Sequence, residues 1–455
     1  MRLTAAEVAR RADGEVVAGA PDAVITSWTF DSRAVEPGAC FVALMGDRDG
    51  HDFVADAFRA GARVALVERP LRDVDVGEGH ALVLTTDVVR GLQAVARSVR
   101  HERRDVRVVG VAGSTGKTST KDLLAATLRP HRVHASPESY NNEFGLPITL
   151  LNAPRPASAV VAEMGERFPG DIAALCDIAK PDFGIITNVG LAHAEYLGGE
   201  EGAAAVLAEL LEALPRRGLA VLNADDRWTP WLAERTEARV VTVGFSDAAD
   251  HRITDVELDR SLFPTFSMGV WQFQVPIRGA HQVANAAMAA VLANHAFGMM
   301  WDDVAFWLRH ARASRWRMEL TKTESGITVL NDAYNANPAS MEAALRALAE
   351  LDVEGRRIAV LGDMRELGDR GPEAHAAIGD LARELRIDVV VGVGTGGAEI
   401  GRRAGSDAFT AGDAAAAIAM VDGLVQPGDA VLVKASRALG LQVVAEHLTD
   451  ASVDR

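Results

Sequence analysis

The segment Val108-Val109-Gly110-Val111-Ala112-Gly113-Ser114-Thr115-Gly116-Lys117-Thr118, running into the helical stretch Ser119 to Leu128, decides the fold class. An apolar run, a glycine-bearing loop and a helix in that order read as a buried strand that delivers the chain onto a helix N-terminus. Glycine lets the backbone curl until successive N–H groups point inward at an anion, and the helix start adds partial positive charge. Lys117 supplies a mobile cation for the β and γ oxygens of a nucleoside triphosphate, and the Thr118 hydroxyl suits Mg²⁺. The expected nucleotide contacts are Gly113, Ser114, Thr115, Gly116, Lys117, Thr118 and Ser119. The strict phosphate-loop pattern wants glycine where this chain has Val111, so the loop is a shortened form. A chance turn does not account for a lysine and two hydroxyls in register, and ATP or a similar nucleotide is the expected cofactor.

The same strand and helix rhythm extends both ways. Before the loop, Cys40 to Leu44 and Val64 to Val67 alternate with helical patterns such as Phe53 to Ala60, and the charged stretch Arg100 to Arg107 reads as a linker. After it, Ala159 to Val161, Gly184 to Thr187 and Leu219 to Leu222 punctuate Ala- and Leu-rich helical segments. Past Arg317 the rhythm restarts with Ile327 to Leu330, Ile358 to Leu361, Val389 to Val393 and Ala430 to Val433. The expectation is an α/β protein of three domains, at 1–100, 101–313 and 314–455. The central one is a mostly parallel sheet with helices on both faces, and the last is a doubly wound, Rossmann-like unit. A length of 455 residues, at about 100 to 200 residues per domain, agrees.

Composition excludes more than it names. With 48% hydrophobic and 24% charged residues the chain is an ordinary globular protein. A formal charge of −16 argues against nucleic acid as a partner, because that interface depends on clustered Lys and Arg. A small anion needs only a local pocket of N–H groups and a cation or two. Cys40 and Cys176 have neither metal-ligand spacing nor a disulfide framework, which fits a reducing compartment, the cytoplasm. No stretch approaches the roughly 18 apolar residues of a membrane span, and Met1 to Arg11 has no apolar signal core, so direct membrane insertion is not expected.

Downstream of the loop lie Asn141-Asn142-Glu143-Phe144-Gly145-Leu146-Pro147, then Val161-Ala162-Glu163-Met164-Gly165, then Thr187-Asn188-Val189-Gly190-Leu191-Ala192-His193. Glu163 and His193 each follow an apolar run, so both should stand at carboxyl ends of strands, where open α/β sheets bind ligands. Singly, either is an unremarkable loop residue. Beside a phosphate loop at the same sheet edge, Thr118, Glu163 and His193 become the expected metal ligands.

These segments together resemble the Mur ligase family, and the resemblance covers nearly the whole chain. Asp31-Ser32-Arg33, Pro37-Gly38, Phe41-Val42-Ala43-Leu44 and Asp49-Gly50-His51 look like the family's UDP-sugar-binding domain, which implies substrate contacts at Ser32 and Arg33. Leu222-Asn223-Ala224-Asp225-Asp226 and Gly279-Ala280-His281-Gln282-Val283-Ala284-Asn285 follow the pattern, although the family usually has Asn where this chain has Gln282. By resemblance Asn285 lies beside the adenine, Arg317 reaches toward the γ-phosphate and Asp332 contacts the ribose. Asn331-Asp332-Ala333-Tyr334-Asn335-Ala336-Asn337-Pro338 discriminates furthest, because its Tyr-Asn-Ala-Asn-Pro core is similar to the branch that adds D-alanyl-D-alanine rather than a single amino acid. Leu361-Gly362-Asp363-Met364-Arg365-Glu366-Leu367-Gly368 and Val433-Lys434-Ala435-Ser436-Arg437 support it.

The resemblance implies an ATP- and Mg²⁺-dependent ligase that joins D-alanyl-D-alanine to a UDP-N-acetylmuramoyl-tripeptide through an acyl phosphate. Its catalytic residues would be Lys117, Glu163, His193 and Arg317, and its substrate contacts would include Asn141, Asn142, Tyr334, Asn335 and Asn337. A ligase of the same fold for another carboxylate or amine, such as D-alanyl-D-lactate, is the alternative, and a nucleotide-binding protein without ligase activity is a third reading. One departure is plain. Many relatives carry a carbamylated lysine after the histidine segment, the matching position here is Leu207, and no lysine occurs between Lys180 and Lys322. Either the second metal site is weakened or another anion replaces the carbamate, with Glu200, two turns earlier, as the candidate, although on its own Glu200 reads as a solvated helix-start residue.

Overall fold

The computed structural model describes residues 2–191, 194–405 and 408–450, and the chain builds three main sheets. In the first, Ser27–Thr29, Ala39–Val42, Val64–Val67 and Ala81–Leu84 run parallel in that order, and Glu15–Gly19 closes one edge antiparallel. In the last, Thr328–Asn331, Ala430–Lys434, Arg357–Gly362, Val389–Val393 and Ala408–Ala411 are parallel neighbours, with Glu319–Lys322 antiparallel at the edge.

The central sheet has nine strands and positions the site. Arg107–Ala112 lies between Ala159–Glu163 and Phe183–Ile186, all parallel, so the three chain segments that follow these strands emerge side by side at one edge. Side chains alternate across such a strand. Val108 and Ala112 face a core shared with Val160, Ala162 and Ile186, whereas Val109 and Val111 face one shared with Val161, Ile185 and the helices Lys117–Thr127 and Gln282–Phe297. Both faces are therefore apolar, as expected of a parallel sheet covered on both sides. Val111 is wholly buried, and its side chain contributes about 1.5 to 3 kcal/mol that a glycine there would forgo. That is the physical reason the loop is short: position 111 still belongs to the strand, and the turn starts at Gly113.

Two features differ from the sequence expectation. Beyond Arg239–Gly244 the sheet gains His251–Leu258 in parallel and then Pro264–Met268 and Trp271–Gln274 in antiparallel, three strands that the periodicity did not announce. The stretch Arg100 to Arg107 is not a free linker. It is the end of the helix Val88–Glu102 and its exit, fastened because Arg100 Nε donates to the Ala179 carbonyl at 2.7 Å and Arg103 donates to the Ala153 carbonyl at 2.7 Å. Guanidinium forks satisfy carbonyls that helix and loop ends otherwise leave open.

Candidate active site

The phosphate loop is held in shape by the neighbouring segment after Phe183–Ile186. Ser114 N donates to the Asn188 carbonyl at 3.0 Å, Thr115 N to Asn188 Oδ1 at 3.1 Å, and Asn188 Nδ2 to Thr115 Oγ1 at 2.8 Å. Glycine is required at two points. Gly113 has φ of 136°, and a Cβ there would lie 2.0 Å from Thr187 Oγ1; Gly116 has φ of 79°, and a Cβ there would lie 2.5 Å from Asn285 Oδ1. Both are left-handed positions that only glycine takes freely.

A cavity of about 1130 Å³ opens over this loop between the central and C-terminal sheets. Ser114 to Ser119, Asn141, Asn142, Glu163, Asn285, Arg317, Asp332, Tyr334, Asn335 and Asn337 all line it, drawn from both domains. Gly113 forms the turn behind the loop and is not in the wall. Ser32 and Arg33 are also outside the wall: they sit on a short 3-10 turn capped by Asp31, and Arg33 is exposed and paired with Asp31 at 2.8 Å. The Phe30 ring nonetheless packs on Tyr140 and Phe144 at 5.1 and 5.3 Å, which brings this turn beside the Asn141-Asn142 loop. His193 lies outside the described residues.

Charge in the cavity is organised around Lys117. Its Nζ donates to the Gly113 carbonyl and lies 3.2 Å from both oxygens of Glu166, whose side chain is 1% exposed. Glu163, the last residue of its strand, accepts from Asn141 Nδ2 at 2.8 Å through Oε1, while Oε2 is buried without a partner. An orphaned buried carboxylate oxygen is costly unless a cation serves it, so Glu163 fits a metal beside Thr118. The Thr118 hydroxyl accepts from Arg317 Nη2 at 2.8 Å.

Arg317 comes from the connection to the C-terminal domain, with Trp316 and Met318 on either side in left-handed backbone at φ of 57° and 51°. Tyr334 faces its guanidinium at 4.2 Å, and Arg437 stacks on Trp316 at 4.2 Å. Asp332 accepts from Met318 N at 3.1 Å and pairs with the buried Lys434 at 2.5 Å, while Lys434 also donates to the Asn335 carbonyl at 2.8 Å. Asn337 caps the helix Pro338–Glu350 by accepting from Ser340 N at 2.9 Å, so the turn chemistry and the place in the cavity wall coexist. Gln282, the departure from the family's asparagine, accepts from Asn285 Nδ2 at 3.0 Å and so orients the amide that faces Gly116.

Neither residue of the expected substitution for a carbamylated lysine reaches the cavity. Leu207 is wholly buried in apolar core, and Glu200 at the start of the helix Glu200–Glu212 pairs with Arg227 and accepts from Trp228 Nε1 at 3.5 Å. Glu200 is instead engaged by the Arg227 guanidinium, whereas Glu166, like Glu163, is a buried acid in the cavity wall. Glu166, Arg167, Lys434 and Arg437 line the wall although sequence reading did not single them out as site residues.

Family models match all three regions: "Mur ligase family, catalytic domain" over residues 24–103, "Mur ligase middle domain" over 111–293 and "Mur ligase, glutamate ligase domain" over 316–437. The UDP-N-acetylmuramoyl-tripeptide–D-alanyl-D-alanine ligase of Mycobacterium tuberculosis is 40% identical, with 98% of each chain covered. The chain belongs to the Mur ligase family. Its members are ATP-dependent, ADP-forming ligases, and this Mur ligase is one of them. The Escherichia coli ligase of the same name is 32% identical, covering 94% of this chain and 95% of its own. Among solved structures, MurF from Acinetobacter baumannii superposes with a TM-score of 0.85 at 27% identity, 99% of each chain being covered. MurF from Thermotoga maritima in complex with ADP gives 0.78 at 28% identity, covering 94% of this chain and 98% of its own.

Proposed function

We propose that this Mur ligase joins D-alanyl-D-alanine to UDP-N-acetylmuramoyl-tripeptide, the reaction that its relatives' names state for them, and that it does so in the cytoplasm. The observation that carries the reading is the single cavity in which the phosphate loop of one domain faces the Tyr334, Asn335 and Asn337 segment of another, with Arg317 bridging to Thr118. Within it the tripeptide carboxylate oxygen attacks the γ-phosphorus of ATP and ADP leaves. The dipeptide amine then attacks the acyl carbon, loses a proton, and phosphate leaves as the amide forms. Lys117 and Arg317 stabilise charge that spreads over the transferring phosphoryl oxygens, Asn285 and Asp332 hold adenosine, and domain closure excludes water. Thr118, Glu163 and His193 are the residues that would hold Mg²⁺, which when bound neutralises phosphate charge.

The unit boundaries we propose are 1–100 for UDP-muramoyl-peptide binding, 101–313 for ATP and 314–455 for closure over it. No helix among the described residues is long and apolar enough to cross a membrane. The test incubates the protein with ATP, Mg²⁺, D-alanyl-D-alanine and UDP-muramoyl tripeptides carrying meso-diaminopimelate or lysine, with D-alanyl-D-lactate in parallel. A product mass equal to tripeptide plus dipeptide less water is expected, and ADP formation only with D-alanyl-D-lactate would overturn the reading.

A further inference from the structure

Glu166 is a buried acid in the wall of a cavity that must admit polyphosphate. Lys117 directs its protons to the Gly113 carbonyl and to both Glu166 oxygens, and an ammonium has three to give. A phosphate oxygen that takes Lys117 must therefore displace one of these three acceptors, and Glu166 is the charged partner that competes with it for the ammonium. Once deprived, a carboxylate that is 1% exposed would stand unpaired beside a polyanion, which is untenable without a new counter-charge.

A second, independent observation shows where that charge goes. Three residues upstream, Glu163 is 1% exposed and its Oε2 has no partner, and both carboxylates line the same wall. Among the described residues there is no group of three or more His, Cys, Asp or Glu able to hold a metal by protein ligands alone. Two carboxylates completed by substrate phosphates are the usual arrangement for Mg²⁺, which seldom takes an all-protein cage. We propose that Glu166 exchanges partners when nucleotide binds, passing from Lys117 to a divalent cation that it shares with Glu163 and the phosphates. The proposal rests on the nucleotide reading above and extends it to a residue which that reading leaves unassigned.

The test uses the full chain, the non-hydrolysable analogue AMP-PNP and Mn²⁺. Calorimetry in EDTA reads nucleotide affinity without metal, and paramagnetic resonance reads Mn²⁺ bound in the presence of AMP-PNP. Glu166→Gln keeps the shape and removes the charge. It should bind AMP-PNP several-fold more tightly than wild type in EDTA, since Lys117 is no longer claimed. It should also bind Mn²⁺ roughly 10- to 100-fold more weakly in the ternary complex, with Glu166→Asp recovering much of that loss. Unchanged Mn²⁺ affinity alongside tighter AMP-PNP would leave Glu166 a latch on the lysine and overturn the proposal. Unchanged AMP-PNP affinity would overturn the exchange itself. Should Glu166→Gln not fold, Glu166→Ala carries the test with the same two readouts, since unchanged Mn²⁺ affinity or unchanged AMP-PNP affinity overturns it as well. A wild-type chain that binds no AMP-PNP refutes the nucleotide reading instead.

Discussion

Stability and turnover meet at Lys117 and can be separated there. Replacing Lys117 by Met removes a preorganised charge worth about 2.7 to 4 kcal/mol in the transition state, so turnover should fall by two to three orders of magnitude. It also leaves Glu166 buried and unpaired, at a cost of about 3 to 5 kcal/mol, so the melting temperature should fall too. Adding Glu166→Gln should restore the melting temperature and not the turnover; recovery of both, or of neither, contradicts the ion pair. Arg317 and Asp332 part company in another way. Arg317 reaches Thr118 from the interdomain connection, so Arg317→Ala should lower the rate more than it weakens ATP binding, and Asp332→Ala the reverse. A nucleotide titration in which Arg317→Ala abolishes binding while Asp332→Ala leaves it intact reverses the two roles. Lys117, Thr118 and Gly116 were legible in sequence because the strand, turn and helix around them are local. Glu166 was not, because an acid after Glu-Met-Gly reads as a solvated loop residue until the fold closes over it.

Elements were legible in proportion to how far both of their faces are buried. Val108 to Ala112, Ala159 to Ala162 and Val389 to Val393 are unbroken apolar runs, since their sheets are covered on both sides. His251–Leu258 escaped notice for a structural reason: its register against Pro264–Met268 shifts between Thr254 and Glu257, with Asp255 at φ of 51°, and the irregularity destroys the period of two. In the N-terminal sheet, the turn Gly50–Phe53 is stapled by Asp49, which accepts from His51 N and Nδ1 at 2.9 and 2.6 Å and pairs with Arg69 at 2.9 Å. Burial pushes its carboxyl up, but the His51 N–H and the Arg69 guanidinium outweigh that and hold it at about 2, below the ordinary 3.8. A depressed carboxyl stabilises the fold above its unfolded value, and the benefit disappears as pH falls toward about 2. The melting temperature of Asp49→Asn should therefore lie below wild type at neutral pH, and the gap should close as pH falls from about 4 to about 2. A gap that does not change with pH would assign the loss to shape rather than charge.

At the scale of the molecule, a net charge of −16 coexists with a cavity whose walls carry Lys117, Arg317, Lys434 and Arg437, so anion binding here is local and owes nothing to the overall field. The three sheets were readable as three rhythms, but how they join was not, because the joints are a shared core and side-chain bridges between residues distant in sequence. Trp28 N donates to Asn152 Oδ1 at 2.8 Å and Asn152 Nδ2 returns to the Trp28 carbonyl at 2.9 Å, and one apolar core runs from Leu3 and Trp28 through the helix Val88–Glu102 to Ile186 and Leu222. The C-terminal sheet has two cores of its own, touching the rest through Leu262 and polar bridges such as Ser314 to Asp122 and Arg167 to Glu366. Three architectural domains should therefore unfold as two cooperative units. Scanning calorimetry should resolve two heat-absorption peaks rather than three, and Asn152→Ala should move the peak that the N-terminal and central sheets share while leaving the other in place. On that partition the C-terminal sheet should be exchangeable between ligases as a cassette, whereas the nucleotide sheet and the one that precedes it, sharing one core, should be exchangeable only together.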